Sequence, residues 1–275
     1  MSQRPLVVGI VNATPDSFSK DGLSADVEAA VDQSLRFVAE GVDWLDVGGE
    51  STRPGAAPVD PETERRRVVP IIQRLKQVVS VPISVDTRRA TVADAALAAG
   101  ASVVNDVSGF GDPDMAAVVQ RHDAQWVLMH MPHRVGEMGW SARVEQMPED
   151  TAQGCEIVVQ SLAAIVDRAV QAGVRRESLL LDPGIGFGKT LNQNLAFLLG
   201  PQGLDRLGLP VFVGPSRKSF IGAITGAAVE DRLFGTAAAV TACVLAGASH
   251  IRVHDVKEMV EVVRVATAIR DSRPE

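Results

Sequence analysis

Acids, amides, cations and histidines recur in this 275-residue sequence at one kind of place, directly after a short apolar run. They are Asn12, Asp46, Asp86-Thr87, Asn105-Asp106, His130, Asp182, Ser216-Arg217-Lys218, and the set Arg252, His254 and Asp255. A single polar residue after a strand is commonly a helix cap. Eight such strand ends in one chain, one of them carrying Arg-x-His, point instead to a shared site. Asp86 and Asp182, with Asn105 between them, suit general acid and base work. They suit equally well the edge of a flat heterocycle that offers several N–H donors, and the residue types leave both readings open. Ser216-Arg217-Lys218-Ser219 opens a helix, whose free N–H groups and dipole attract an anion. Arg252 and His254 alternate, so they face the same side of a strand.

Two familiar nucleotide signatures fail on spacing. The run Asp182-Pro183-Gly184-Ile185-Gly186-Phe187-Gly188-Lys189-Thr190 has Pro183 where a P-loop needs glycine, and its glycines read G-x-G-x-G rather than G-x-G-x-x-G. It reads better as a βα loop that lets the backbone approach a ligand, with Phe187 offering an aromatic face. No helix-spaced histidine pair or H-E-x-x-H is present. His122, His133 and His250 are expected to be structural or surface residues. A hard cation such as Mg²⁺ fits if Asn12 supplies one ligand and substrate phosphates supply most of the rest. No Ser-His-Asp or Cys-His assembly announces a covalent nucleophile.

These residues need a scaffold that brings strand ends together. Val-, Ile- and Leu-rich runs at 6–12, 44–49, 82–87, 102–108, 125–130, 178–184, 210–216 and 250–255 predict strands. Helical patterns fall between them at 25–40, 62–77, 89–99, 112–122, 149–172, 191–199, 231–247 and 256–270. Gly41, Gly100, Gly173 and Gly247 sit where helices must stop. Near-continuous apolar strands indicate a sheet covered on both faces. Eight β-then-α units predict an α/β fold, a (β/α)8 TIM barrel with its active site at the C-terminal ends of the strands. No linker divides residues 1–275, so a single domain is expected.

Composition excludes several classes. Apolar residues make up 46% and charged residues 22%, an ordinary globular balance. The longest apolar stretch, 237–248, falls short of the ~20 residues a membrane helix needs. Residues 1–15 show no signal-peptide layout. Cys155 and Cys243 are too few and too far apart for a disulfide framework, so a cytoplasmic setting is expected. A net charge of -7 argues against nucleic acid or membrane as partner. An anionic substrate then requires its cations to be gathered locally.

Taken together, the motifs resemble the dihydropteroate synthases of folate biosynthesis. The stretches are Gly9-Ile10-Val11-Asn12-Ala13-Thr14-Pro15-Asp16-Ser17-Phe18-Ser19, Asp46-Val47-Gly48-Gly49-Glu50-Ser51-Thr52-Arg53-Pro54-Gly55 and Ser84-Val85-Asp86-Thr87. Next come Asn105-Asp106-Val107-Ser108-Gly109, Met129-His130-Met131 and Leu181-Asp182-Pro183-Gly184 through Lys189. Ser216-Arg217-Lys218-Ser219 and Arg252-Val253-His254-Asp255 complete the set. The resemblance implies a barrel transferase that joins 6-hydroxymethyl-7,8-dihydropterin diphosphate to 4-aminobenzoate, using Mg²⁺ and releasing diphosphate. It assigns the pterin pocket to Asp86, Asn105, Met129, Asp182 and Lys218, and so favours ring-edge recognition over acid–base work. Thr52, Arg53, Arg252 and His254 would hold the diphosphate, Asn12 would touch Mg²⁺, and Pro54, Phe187 and Ser219 would shape the 4-aminobenzoate site. Catalysis would fall to Lys218, Arg252, His254 and Asp21, by a dissociative path. The family also implies homodimers and a target for sulfonamides, which mimic 4-aminobenzoate.

Two departures stand out. The first loop reads Asp16-Ser17-Phe18-Ser19-Lys20-Asp21-Gly22, with Lys20 where the family has a second aspartate, so Asp21 takes that role only if the loop shifts by one residue. The stretch 132–148, containing Trp140, is long and lacks the family's short glycine-containing sequence. Rival readings are a pterin-binding paralogue without turnover and a methyltetrahydrofolate:corrinoid methyltransferase. The paired Ser216-Arg217-Lys218 and Arg252-Val253-His254 segments argue against the methyltransferase, which has no diphosphate to hold.

Overall fold

A computed structural model of the chain describes residues 4–13, 23–51, 58–132, 147–200 and 202–272. The elements are β1 (Leu6–Asn12), α1 (Leu23–Ala39), β2 (Trp44–Gly48), α2 (Pro61–Val78), β3 (Ile83–Asp86), α3 (Ala90–Ala99), β4 (Val103–Asp106) and α4 (Met115–Arg121). They continue as β5 (Gln125–Met129), α5 (Thr151–Gln171), β6 (Leu179–Asp182), α6 (Leu191–Leu199), β7 (Phe212–Val213), α7 (Ser219–Thr225), α8 (Leu233–Leu245), β8 (His250–Val253) and α9 (Val256–Asp271). The strands form one parallel sheet in the order β6-β5-β4-β3-β2-β1-β8-β7. A single bridge between Leu181 and Val211 brings its two edges together into a nearly closed barrel.

Local chemistry explains most boundaries. Asp60 caps α2, accepting from the Thr63 N–H at 2.9 Å, and Pro61 follows at the first helical position. Thr190 and Gln193 form a reciprocal capping box at α6. Gly41, Gly100, Gly173 and Gly247 all adopt positive φ at helix ends, as expected of them.

The 210–216 strand is the main departure, shrinking to two residues. Pro210 has no N–H to give and contributes only its carbonyl, which accepts from Leu181 N–H at 2.9 Å. Pro215 ends any continuation in the same way. Helix α7 is the short helix that the 216–219 segment is expected to open; it precedes α8, which starts at Leu233 because 229–231 forms a short 3-10 turn.

Side-chain parity sorts the barrel. Val7, Val11, Leu45, Val47, Val85, Val104, Leu128, Leu181, Val213 and Val253 are buried in the main core shared with the helices. Val8, Trp44, Val103, Val127, Leu180 and Phe212 form a separate apolar cluster inside the barrel. Trp44 lies 5.8 Å from Phe212 and 5.4 Å from His250, ring centre to ring centre. This cluster is an apolar floor. Among the described residues its polar link upward is the Trp44 indole N–H, which donates to Ser84 Oγ at 2.6 Å.

Replacing Trp44 by Phe removes that donor and leaves a small void. Stability measured by urea unfolding should fall by about 1–3 kcal/mol. An unchanged midpoint would mean that the floor tolerates the loss.

Candidate active site

Above the floor, the same parity carries the polar residues. Parallel pairing aligns Asn12 with Gly48, Gly48 with Asp86 and Asp86 with Asn105, so these four residues share one row. Met129 aligns with Asp182. Val8 aligns with both Trp44 and Arg252, placing Arg252 on the inward side.

Arg252 ties these strands together. Its Nε donates to Asp46 Oδ2 at 2.6 Å, and its Nη2 donates to Asp86 Oδ2 at 2.7 Å. Asp46, fully buried, also accepts from Asn105 Nδ2 at 3.1 Å and from the Ser84 hydroxyl. The resemblance put Arg252 on a diphosphate. Two of its nitrogens are already spent on carboxylates, leaving Nη1 as the donor with no partner among the described residues.

Asp182 accepts from Gly184 N–H at 2.7 Å. Lys218 stands at the start of α7 with its ammonium 3.9 Å from the centre of the Phe187 ring, a cation–π contact. Burial pushes the Asp86 carboxyl up to about 7, against the pull of Arg252, and it also raises Asp182. Burial lowers Lys218 to about 8, while Asp182 works in the opposite direction. Asn12 and His254 line an open cavity with Ile10 and with Asp32, Gln33 and Arg36 of α1. The His254 ring meets Ser216 Oγ at 3.0 Å.

Several strand-end residues do not join this group. Asp106 turns back on its own loop and accepts from Ser108 and Phe110 N–H groups. His130 faces Lys189. Arg217, expected among the anion-binding cations, is directed at Asp255, with Nε to Oδ2 at 3.0 Å, and has a φ of 55°. Ser219 is solvent-exposed at the first position of α7. Thr52, Arg53, Pro54, Lys20, Asp21 and Trp140 lie outside the described residues. So do His133 and most of 132–148. His122 pairs with Asp94 at 2.8 Å and His250 packs on the floor, both structural as expected.

A model of the pterin binding enzyme family matches residues 8–254. The chain is 43% identical over 271 residues to a dihydropteroate synthase of Synechocystis, covering 97% of this chain and 91% of that one. This chain belongs to the dihydropteroate synthase family. The Escherichia coli dihydropteroate synthase is 38% identical across 96% of this chain and 91% of its own. The dihydropteroate synthase of Xanthomonas albilineans, solved with 4-aminobenzoic acid, superimposes with a TM-score of 0.87 at 42% identity, covering 98% of this chain and 94% of the other. That of Clostridium difficile, solved in the presence of pteroic acid, gives a TM-score of 0.86 at 38% identity, with 97% of each chain covered.

Two further buried groups, Asp46 and Lys189, support the site. Asp46 is a strand end whose even spacing from Trp44 places it on the inward face. Lys189, 6% exposed, pins the glycine loop from beneath. Its ammonium meets His130 Nδ1 and Gly184 O, both at 3.0 Å, and Phe187 O at 3.3 Å. Gly184 has positive φ, and a Cβ there would strike the His130 carbonyl, so the loop passes where only glycine fits.

Burial lowers Lys189 from 10.5 to about 7 and His130 to about 3. Between those lysine values the unfolded chain binds more protons than the folded one. Stability therefore rises with pH across that window and is lost as pH falls through about 7. Lys218 contributes in the same sense above about 8. Chemical denaturation from pH 7 to 9 should show this rise in the parent and a flatter profile in Lys189→Met. Equal slopes would mean that Lys189 is not held as described.

Proposed function

We propose that the chain is a working dihydropteroate synthase. It joins 6-hydroxymethyl-7,8-dihydropterin diphosphate to 4-aminobenzoate by dissociative displacement at the pterin methylene. The observation that carries this reading is the set of buried acceptors Asp86, Asn105 and Asp182, with Lys218 acting on Asp182 and an apolar cluster below. Carboxylates accept from the amino group and ring N–H of a pterin, and an ammonium donates to its ring carbonyl. Buried polar groups of this kind reject ligands that leave them unpaired. Met129, 2% exposed and level with Asp182, adds an apolar wall.

The methylene–oxygen bond breaks and its electron pair leaves with the diphosphate. The dihydropterin ring stabilises the methylene cation, which the amine of 4-aminobenzoate attacks before losing a proton. No protein nucleophile is required. Arg252, through Nη1, and His254 favour the charge that develops on the leaving diphosphate, as do Thr52 and Arg53. Asp21 is assigned to closing the site over the cation. Phe187, Pro54 and Ser219 shape the 4-aminobenzoate site, a reading supported by the relative solved with that molecule.

The donor set suits Mg²⁺. The amide oxygen of half-buried Asn12 ends β1, and no cluster of three acidic, histidine or cysteine ligands exists among the described residues. Mg²⁺ keeps several waters and is commonly held by few protein ligands plus substrate phosphates. Bound by Asn12, it would supply charge neutralisation to the diphosphate.

The chain is read as one domain over 1–275, acting in the cytoplasm as a homodimer. Among the described residues no helix is long and apolar enough to cross a membrane, and both cysteines are buried free thiols. Ile224 and Phe234, 57% and 85% exposed near the α7–α8 junction, favour a partner surface there.

Purified protein with Mg²⁺ should release diphosphate from the pterin substrate only when 4-aminobenzoate is present. Pterin binding by calorimetry without product would support the non-catalytic paralogue instead. Lys218→Ala should lower kcat/KM about 100-fold, the scale of a lost charge-assisted hydrogen bond. The pH profile of kcat/KM should be a bell, rising as Asp86 ionises near 7 and falling as Lys218 loses its proton near 8. Lys218→Arg should move the alkaline limb upward, and a limb that stays in place would detach Lys218 from it.

A further inference from the structure

Asp46 touches none of the residues that face the mouth except through its hydrogen bonds, yet it orders them. Its Oδ1 accepts from Ser84, and its Oδ2 accepts from both Asn105 Nδ2 and Arg252 Nε. A carboxylate can only accept, so the Asn105 amide must turn its NH₂ end toward Asp46. The amide oxygen is then left with no partner among the described residues. The same contact fixes the plane of the Arg252 guanidinium, and with it the nitrogen that reaches Asp86. Ser84, itself held by the Trp44 indole, anchors Asp46 to the floor.

We propose that Asp46 is a positioning residue that sets the hydrogen-bond polarity of the pocket, making Asn105 an acceptor toward the ligand. The ring-edge site then offers acceptors from Asp86, Asn105 and Asp182 in one arc, which selects a heterocycle edge carrying several N–H donors. This rests on the pterin reading above and adds the group that enforces it.

The proposal has a second signature in Asp86. The charged groups that act on Asp86 are Arg252 from β8, Asp46 from β2, Glu64 from α2 and Lys218 at the start of α7. Asp46 and Glu64 disfavour its ionised form, and the two cations favour it. Removing the charge at 46 therefore moves the ionisation of Asp86 to lower pH. A residue that merely filled space would leave that ionisation where it is.

The test uses steady-state kinetics of Asp46→Ala and Asp46→Asn, with folding checked by circular dichroism. Parent turnover with both substrates is measured first, and its absence would remove the functional reading itself rather than this inference. In Asp46→Ala the KM for the pterin substrate should rise about tenfold or more, one lost charge-assisted hydrogen bond, while the KM for 4-aminobenzoate stays within about twofold. Asp46→Asn keeps one carbonyl oxygen for Asn105 and Arg252, so it should recover part of the pterin affinity. Both variants should move the acid limb of kcat/KM to lower pH. If Asp46→Ala does not fold, the limb position in Asp46→Asn decides alone. An unmoved acid limb, or a parallel rise in both KM values, would overturn the proposal.

Discussion

Arg252 reaches from β8 to carboxylates on β2 and β3, and this bridge is what allows the barrel interior to carry charge. Taking an ion out of water costs several kcal/mol, recovered only with good geometry and further hydrogen bonds. Asp46 meets that condition by accepting from three side chains while fully enclosed. Asp86 has one oxygen on Arg252, and burial, with the nearby carboxylates of Asp46 and Glu64, makes its carboxyl harder to ionise than a free one. The difference is useful. The better-satisfied acid holds its neighbours still, and the less-satisfied one has an oxygen with no hydrogen-bond partner among the described residues.

The site is layered by depth. Six apolar side chains form the bottom, the Asp46–Arg252–Asp86 network lies over them, and Asn12 and His254 line an open cavity. Each layer is a consequence of the two-residue period of a strand, which turns every second side chain inward. On the β6 side the wall is a loop rather than a strand. Lys189 holds its carbonyls from below, and Phe187 and Lys218 stack above. Three positive-φ glycines make that path possible.

Much of this was legible in the residues. Eight apolar runs with polar ends, helices between them and glycine stops predict the barrel because parity and helix chemistry are local properties. The β7 strand is shorter than its apolar run suggests because Pro210 and Pro215, both visible in the sequence, have no N–H for the ladder, and that signal outweighs the run's hydrophobicity. Arg217 looked like a mouth cation because sequence spacing does not reveal a backbone with φ of 55°, which turns the side chain toward Asp255. The membership of Asp46 and Lys189 was hidden for another reason. Asp46 meets Ser84 and Arg252, 38 and 206 positions away, and Lys189 meets His130, 59 positions away, contacts that only the closed barrel brings together.

The apolar floor has a consequence for traffic. On the proposed reading, a ligand resting on Asp86, Asn105 and Asp182 with the six-residue floor beneath it would enter before anything seated nearer the rim. It must also depart after the rim has cleared. Occupancy then runs as a stack, last in and first out, and the second reactant acts as a stopper on the first. Six side chains that make no contact with the chemistry would thereby dictate the sequence in which its participants arrive.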